Sequence, residues 1–313
     1  MAEDPNWPRA SAWLAGDHLP EPVGTLAVLG APLHLGSITP GRCDLAPAAI
    51  RKALERYSTY DADTGVDLRR LVVSDLGDVD VADSRPEEAL APLSEGVRSA
   101  LDSATAVAVL GGDNSVTRPG CHGTAQSLDR LGLVTLDAHH DLRDLDEGLS
   151  NGNPVRALLS DGLPGENIVQ VGIAPFANSP AYAEVATKAG ITVVTVDAVR
   201  ERGIDAAVSE ALEALAERAD RIYVDLDIDV LDRAFAPGSP GSRPGGLTPW
   251  EVQRAAGLCG RHAKVNVIDI VEVDPSLDVS DVTALSAARC VLSFASGVAV
   301  RLTSQGPKFC SCG

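Results

Sequence analysis

The sequence is poor in basic residues. Its 313 residues include 26 lysines and arginines against 44 aspartates and glutamates, which gives a formal net charge of -18. Nucleic acids and anionic membrane surfaces are themselves negatively charged, so a protein of this charge would be repelled by both. We therefore exclude nucleic acid and membrane as partners, and we expect the acidity to be the surface character of a soluble cytoplasmic protein.

Long apolar runs and a disulfide framework are also missing. No run approaches the ~20 apolar residues that a membrane helix needs. The first residues, MAEDPNWPRASAWL, lack the basic start and apolar core of a secretory signal. The six cysteines are scattered without a framework spacing, and Cys310 and Cys312 lie in the C-terminal tail. We expect reduced thiols rather than disulfides, in a protein that is neither secreted nor membrane-spanning.

Eight short apolar runs alternate with helical segments from near residue 24 to near residue 300. The runs are TLAVLGAP, LVVSDLGDV, AVAVLGGD, GLVTLDAH, NIVQVGI, ITVVTV, RIYVDLDID and VNVIDIVEVD. They are continuous rather than alternating, so both faces of their sheet should be covered. The strand-helix-strand order predicts a parallel sheet with right-handed crossovers. Periodicity alone allows either a closed barrel or an open sheet with helices on both faces.

The segments between the runs have helical periodicity. Within residues 203–220, four apolar residues recur on one helical face: Ile204, Val208, Leu212 and Leu215. No break in composition marks a domain boundary, and we find no internal repeat. We predict a single α/β domain over residues 1–313, with an N-terminal extension at 1–23 and a C-terminal tail at 301–313.

Two long irregular stretches, at residues 141–155 and 232–248, each follow an Asp-rich strand end. Irregular loops of this length within an α/β domain are usually functional. The motifs before them, DAHHD and DLDIDVLD, place acidic and histidine side chains at alternate positions, which point the same way on an extended chain. The residues concerned are Asp137, His139 and Asp141 in the first motif, and Asp225, Asp227 and Asp229 in the second.

A cluster of carboxylates predicts a metal site. Like charges this close do not stay ionised together without a cation between them. Oxygen ligands with one nitrogen suit a hard divalent ion such as Mn²⁺, and four carboxylates balance two dications better than one. Two such ions share a bridging water, lower its pKa and direct hydroxide at an electrophilic carbon. The other histidines are predicted to be structural: His140 alternates to the opposite face, and His122 and His262 lie in helical segments.

Several ordered motifs resemble the signature blocks of the ureohydrolase family, which comprises arginase, agmatinase, guanidinobutyrase and formimidoylglutamase. They are GGDNS, DAHHD, DLDIDVLD with the APGSPGSRPGGLT that follows, and DIVEVDP, preceded by GAPLHLGSITPGRCDLAPAAIRKAL. The resemblance covers roughly residues 24 to 300. It implies a three-layer α/β/α fold around an open, eight-stranded, mostly parallel sheet, and two Mn²⁺ ions per subunit. It also implies a homo-oligomer, either a trimer or a hexamer.

The resemblance also implies a role for each residue of the site. Six residues would hold the ions: Asn114, Asp137, His139, Asp141, Asp227 and Asp229. Of these, Asp137 and Asp227 would bridge the two ions. Asp141 and Glu272 would be the catalytic residues, with Glu272 holding the cationic nitrogens of the substrate as a bidentate partner. Asp232 matches the last Asp of its block and would lie outside the ligand set.

Two positions depart from the arginase and agmatinase pattern. In those enzymes a histidine stands where this chain has Asn114, and a second histidine, a proton shuttle, stands where it has Asn151. Asparagine can bind a hard ion through its amide oxygen, but it cannot shuttle protons. The formimidoylglutamase branch lacks both histidines, and its second block tends to read DAH-x-DLR before a Ser-x-Gly loop. This chain has DAHHDLR and SNG at those places.

The resemblance to that branch implies hydrolysis of N-formimidoyl-L-glutamate to L-glutamate and formamide, a step of histidine degradation. Because this substrate carries two carboxylates, cationic side chains should bind it. The candidates are Arg143, Arg156 and Arg42, and Asn151 and Glu272 complete the predicted substrate-binding set. Two alternatives stay open. One is hydrolysis of a guanidino compound with release of urea, and the other is a non-catalytic binding or regulatory protein on the same fold.

Overall fold

The computed structural model describes residue 4 and residues 6–304. Eight parallel strands form one sheet, and each coincides with a predicted apolar run: β1 (Gly24–Ala31), β4 (Leu71–Asp78), β5 (Ala106–Gly111), β6 (Leu131–Leu136), β7 (Ile168–Ile173), β8 (Thr192–Thr195), β9 (Arg221–Asp227) and β10 (Val265–Val271). Two further strands, β2 (Tyr60–Asp61) and β3 (Val66–Asp67), form a small antiparallel hairpin. The sequence did not predict this hairpin, because two-residue strands are too short to show a periodic pattern.

The strand order in the sheet is β4-β1-β5-β10-β9-β6-β7-β8. The last two strands of the chain therefore lie in the middle of the sheet, between β5 and β6. Because all eight strands are parallel, their carboxyl ends meet at one edge. Ligand sites of open α/β sheets form at this edge, where the strand order reverses. The four strand ends with the predicted polar residues are consecutive neighbours there.

Helices cover both faces of the sheet. The described residues form α1 (Ala10–Leu14), α2 (Ala46–Ala53), α3 (Pro86–Ser103), α4 (Thr117–Thr124), α5 (Pro154–Asp161), α6 (Pro180–Ala189), α7 (Val196–Arg202), α8 (Ile204–Ala216), α9 (Pro249–Arg261) and α10 (Val282–Ser304). Helices α3 to α6 pack on one face, and the other six helices pack on the opposite face. Along β1, Leu26 and Val28 enter one core while Ala27 and Leu29 enter the other. The predicted open three-layer α/β/α fold is confirmed.

The helices form where the sequence places an apolar face and a start signal. In α8 the four predicted face residues are all buried, because the stripe at i, i+4, i+8 and i+11 lies against the sheet. Helix α9 begins with a capping box in which Thr248 and Glu251 satisfy each other's backbone N–H groups. Pro249 occupies the first helical position, where no backbone donor is needed.

Both ends of the predicted domain contribute to the packing. In the N-terminal extension, Trp13 is fully buried and its indole N–H donates to the carbonyl of Leu71 at 3.1 Å. Helix α10 is long and apolar enough to cross a membrane, but 78% of its most apolar stretch is buried inside the protein. The helix continues to Ser304 and so includes the first residues of the predicted tail. Cys310 and Cys312 lie outside the described residues.

Candidate metal centre

Polar side chains follow the four central strands directly. Asp137 comes after β6, Asp227 ends β9, and Glu272 comes after β10. Asn114 follows β5, three residues after Gly111, the last residue of that strand. Since these strands are neighbours in the sheet, residues far apart in the sequence meet at one edge.

A compact cluster of carboxylates and one imidazole lies at this edge. Potential ligand atoms of Asp137, His139 and Asp229 lie within 4.8 Å of one another. His139 Nδ1 is 2.9 Å from Asp229 Oδ2 and 3.5 Å from Asp137 Oδ1. Backbone N–H groups fix the carboxylates: His139 donates to Asp137 at 2.6 Å, and Asp229 donates to Asp227 at 2.8 Å. The turn after each strand thus holds its own acidic side chain in place.

The cluster brings several buried carboxylates together, and a bound cation would neutralise them. Burial, and then the negative charge of Asp229, raises the pKa of Asp137 to about 6. Burial and neighbouring carboxylates also raise the pKa values of Asp141 and Asp227 well above their ordinary range. Burial alone would raise the pKa of Asp229 too, but the charge of His139 lowers it. These shifts express the cost of several buried like charges.

No lysine or arginine in the described part of the chain forms an ion pair with any of the four carboxylates. The ion pairs of Asp137 and Asp229 are with His139 alone, and the charge of Asp229 raises the pKa of that imidazole. Buried oxygen donors with one imidazole are the donor set of a hard divalent ion, so these residues fit a metal centre.

Asn114 and Asp141 join the cluster on its other side. The Asn114 Nδ2 group donates to Asp141 Oδ2, and Asp141 is within hydrogen-bonding reach of Asp137. Asp141 has a positive φ of 53°, a conformation that non-glycine residues rarely adopt. Backbone strain of this kind is often found at functional sites. The structure thus brings the six predicted metal-binding residues together, while their role as ligands stays a prediction.

Glu272 lies beside the cluster and also has a positive φ, 62°. Its Oε1 accepts two hydrogen bonds, from the Asn114 backbone N–H at 2.8 Å and from Asn151 Nδ2 at 2.9 Å. Burial, and then the charge of Asp113, raises the pKa of Glu272 to about 8. The two asparagines that replace histidines in arginase and agmatinase therefore hold the same carboxylate. Asn151 also links it to the N-terminal loop, since its Oδ1 accepts from the Ile38 N–H.

A cavity of about 170 Å³ opens over the cluster. The two long irregular loops that the sequence singled out form much of its wall. Carboxylates line its floor and two arginines line its side walls: Asp141, Asp227, Asp229 and Glu272 with Arg143 and Arg243. His139 and Asn151 line it as well. Arg143 is exposed, and its aliphatic chain passes Gly152, where a Cβ would lie 2.7 Å from Arg143 Cδ. A side chain at position 152 would force Ile38 and Arg143 to shift.

Two of the three predicted arginines do not line the cavity. The Arg42 guanidinium forms two hydrogen bonds with Asp44, both 2.8 Å long, and its side chain is 55% exposed. Arg156 lies in the first turn of α5, where its backbone N–H donates to the Asp141 carbonyl at 3.1 Å. Arg156 is not among the residues that line the cavity. Arg143 is the one predicted arginine that the structure places at the cavity.

Arg243 was missed by the sequence analysis. Its Nη1 lies 3.0 Å from His139 Nε2 and donates to the Gly241 carbonyl at 2.6 Å. Gly241 itself touches the cluster, because a Cβ there would lie 2.0 Å from Asp229 Oδ2. The signal was present: Arg243 is a basic residue in the glycine- and proline-rich loop of residues 232–248, which was expected to be functional.

Other acidic and histidine residues have structural partners. His140 Nδ1 is 2.7 Å from Gln170 Oε1 on β7, and His122 Nε2 is 2.8 Å from Asp161 Oδ2. Asp232 accepts the N–H groups of Ala234 and Gly245 and so shapes the loop after β9. Asp225 lies inside the sheet, in register with Asp269, rather than in the cluster of ligand atoms. Burial, and then the charge of Asp269, raises its pKa well above its ordinary value.

We predict that the metal-free protein loses stability as the pH rises. The folded-state pKa values of Asp137 and Glu272, about 6 and about 8, exceed their ordinary values of 3.8 and 4.5. Proton binding therefore favours the folded state, and this stabilisation is complete below the ordinary values and is lost as the pH rises through about 6 and about 8. The melting temperature should fall by on the order of 5–10 °C over this range.

The control is the same pH series with excess divalent metal. Bound cations replace the protons, so the fall in melting temperature should become much smaller. Thermal melts followed by circular dichroism measure both series. An equal pH dependence with and without metal would contradict the prediction.

Comparison with known proteins agrees with this fold. The Arginase family model matches residues 25–296. Formimidoylglutamase of Halalkalibacterium halodurans is 38% identical over 283 residues, 88% of this chain and 87% of that protein. The crystal structure of formimidoylglutamase from Bacillus subtilis superposes with a TM-score of 0.88 and 32% identity, over 96% of this chain and 94% of that one. Mitochondrial agmatinase of Gallus gallus is 30% identical over 84% of this chain and 77% of that protein. The chain therefore belongs to the arginase family.

Proposed function

We propose that the protein hydrolyses N-formimidoyl-L-glutamate to L-glutamate and formamide with two Mn²⁺ ions, as a step of histidine degradation. One observation carries this proposal: carboxylates and two arginines line the same cavity. Carboxylates, Glu272 among them, line the floor, and Arg143 and Arg243 line the walls. The proposed substrate is cationic at its formimidoyl end and carries two carboxylates at the other. Each end therefore meets side chains of opposite charge.

The protein's own residues bind and orient the substrate. The Asn114 N–H and Asn151 both occupy Glu272 Oε1, so Oε2 is left to accept from the cationic nitrogens. The two ions, when bound, would supply a hydroxide nucleophile and neutralise the carboxylate cluster. Water adds to the formimidoyl carbon, the bond to the glutamate nitrogen breaks, and that nitrogen takes a proton. We assign this proton transfer to Asp141, which lines the cavity, since the amide of Asn151 cannot transfer a proton.

The charge layout disfavours the alternatives. Agmatine is cationic at both ends, so one end would face Arg143 and Arg243. Two relatives named formimidoylglutamase, at 38% and 34% identity, are also more similar to this chain than the agmatinase is, at 30%. A non-catalytic binding protein would have no use for a buried cluster of four carboxylates, which is costly to keep without a cation.

A panel of substrates tests the proposal. The purified protein, loaded with Mn²⁺, should release formamide from N-formimidoyl-L-glutamate and no urea from agmatine, arginine or guanidinobutyrate. Urea release would indicate that the protein hydrolyses guanidino compounds instead. A metal content near zero after loading would favour the non-catalytic alternative.

Arginine variants extend the same panel. Arg143→Ala and Arg243→Ala should each raise the KM for N-formimidoyl-L-glutamate by about 10- to 100-fold. This is the effect expected when one charge-assisted hydrogen bond, or a pair of them, to the substrate is lost. Arg42→Ala and Arg156→Ala remove the same charge outside the cavity and should leave KM unchanged. Metal content should stay at two ions in all four variants. An unchanged KM in Arg143→Ala or Arg243→Ala would remove that residue from the substrate site.

We also propose that the protein acts in the cytoplasm. Four described cysteines are buried and unpaired, as expected in a reducing compartment: Cys43, Cys121, Cys259 and Cys290. Assembly into a trimer or hexamer stays a prediction, which light scattering of the purified protein tests.

A further inference from the structure

A buried chain of hydrogen bonds leads from the interior of the sheet to Asn114. Thr117, the first residue of α4, has its Oγ1 2.7 Å from Asn114 Oδ1 and 3.1 Å from Asp269 Oδ2. Thr117 and Asp269 are fully buried, and Asn114 is nearly so. None of these contacts involves the cavity, and neither Thr117 nor Asp269 is among the residues predicted to bind metal or substrate.

The threonine hydroxyl has one proton and faces two acceptors. Asp269 accepts from the Tyr223 hydroxyl at 2.7 Å and from the Leu226 N–H at 3.2 Å, so it acts as a carboxylate acceptor. If Thr117 donates to Asn114 Oδ1, its contact with Asp269 is left without a proton. If it donates to Asp269, its oxygen is free to accept, and the group that Asn114 turns towards it must be the Nδ2 donor.

If Thr117 donates to Asp269, the other end of the Asn114 amide also changes its partner. In the structure the Nδ2 group donates to Asp141 Oδ2. Turning the amide so that Nδ2 donates to Thr117 places Oδ1 next to Asp141. Only the oxygen of a neutral amide can bind a cation, since the NH₂ group has no available lone pair. In the structure Oδ1 lies at Thr117 and Nδ2 at Asp141, and a Thr117 hydroxyl that donates to Asp269 would stabilise the turned amide, the one orientation that can bind a metal ion.

We propose that Thr117, held by Asp269, is a positioning residue that turns the Asn114 amide oxygen towards the metal centre. This inference rests on the proposed metal-dependent function. An imidazole at position 114 could present only nitrogen to an ion, whereas an asparagine presents either an acceptor or a donor. A neighbour that fixes the amide is therefore needed because this chain has asparagine there.

Three variants test the proposal through metal binding rather than activity. Thr117→Val removes the hydroxyl with little change in shape, and Thr117→Ser retains it. Tyr223→Phe is the matched control, since it removes another donor to Asp269 without touching Asn114. The amount of Mn²⁺ bound after loading and gel filtration gives the stoichiometry, and titration calorimetry gives the affinities. Thr117→Val should bind one of its two ions at least about tenfold more weakly, whereas Thr117→Ser and Tyr223→Phe should bind both as the wild type does.

Several results would overturn the inference. One is wild-type affinity for both ions in Thr117→Val, and another is an equal loss in Tyr223→Phe, which would indicate a general effect on packing. If Thr117→Val does not fold, a crystal structure of the Mn²⁺-loaded wild type decides. The inference requires Asn114 Oδ1 at an ion and Nδ2 at Thr117, and an amide that contacts no ion contradicts it. A wild-type protein that binds no Mn²⁺ would instead overturn the metal-dependent function itself.

Discussion

Asp227→Ala is expected to abolish metal binding and hydrolysis together. Asp227 ends β9 in the middle of the sheet, is almost fully buried and lines the cavity. Its pKa is raised first by burial and then by the charge of Asp229, which places it among the carboxylates that a cation must neutralise. Without it, the remaining donors cannot balance two dications. We expect activity to fall by about 10³-fold or more, equivalent to at least about 4 kcal/mol of transition-state stabilisation.

The measurement pairs formamide release with Mn²⁺ content. Asp232→Ala is the matched control, since Asp232 belongs to the same motif but only accepts backbone N–H groups in the following loop. It should bind two ions and lose little activity. A folded Asp227→Ala protein that keeps both metal and activity would show that the ligand assignment is wrong.

The fold and the floor of the site are the parts that sequence patterns predict well. Continuous apolar runs identify all eight strands of the sheet. The six inner strands need apolar residues at nearly every position because both of their faces are covered, whereas the edge strands β4 and β8 are largely exposed. The polar residues that end such runs are conspicuous for the same reason. His139 and Asp141 were found in this way, and the structure places both within the cluster at the sheet edge.

Alternation alone does not say where a strand ends, and this explains what happens to Asp225. It shares the i, i+2 pattern of Asp227 and Asp229, but β9 continues through it, so it is paired inside the sheet beside Asp269. Asp229 lies in the turn beyond the strand, where its carboxylate is free to meet His139. The alternating pattern correctly predicts that these side chains point the same way. It does not predict which of them lie within the strand and which lie beyond its end.

The walls of the cavity could not be predicted as well as its floor. Arg143, Arg156 and Arg42 are equivalent on charge alone, and only the loop geometry distinguishes them. Arg42 lies beside Asp44 and is neutralised by it, whereas Arg243 reaches His139 from a loop more than 100 residues away in sequence. Irregular loops have no period, so their side-chain directions follow from tertiary contacts that the sequence does not display.

Glu272→Gln is expected to lower kcat/KM for N-formimidoyl-L-glutamate by about 10²- to 10³-fold while leaving two Mn²⁺ ions bound. The substitution keeps shape and the positive φ, and the Gln oxygen can still accept from the Asn114 N–H and Asn151. The amide nitrogen then replaces Oε2 and points its donors at the cationic nitrogens of the substrate. A charge-assisted acceptor is thereby exchanged for a repulsive contact, which costs several times more than a neutral hydrogen bond.

Metal content separates this effect from damage to the centre. Glu272 is outside the group of ligand atoms around Asp137 and His139, so losing its charge should not weaken metal binding. Because burial raises the pKa of Glu272 to about 8, this carboxyl is largely protonated at neutral pH without metal, and the neutral glutamine should leave the metal-free protein about as stable as the wild type. Glu251→Gln makes the same chemical change in the cap of α9 and is the control. Unchanged kcat/KM in Glu272→Gln would remove this carboxylate from the substrate site, and lost metal would place it in the metal centre.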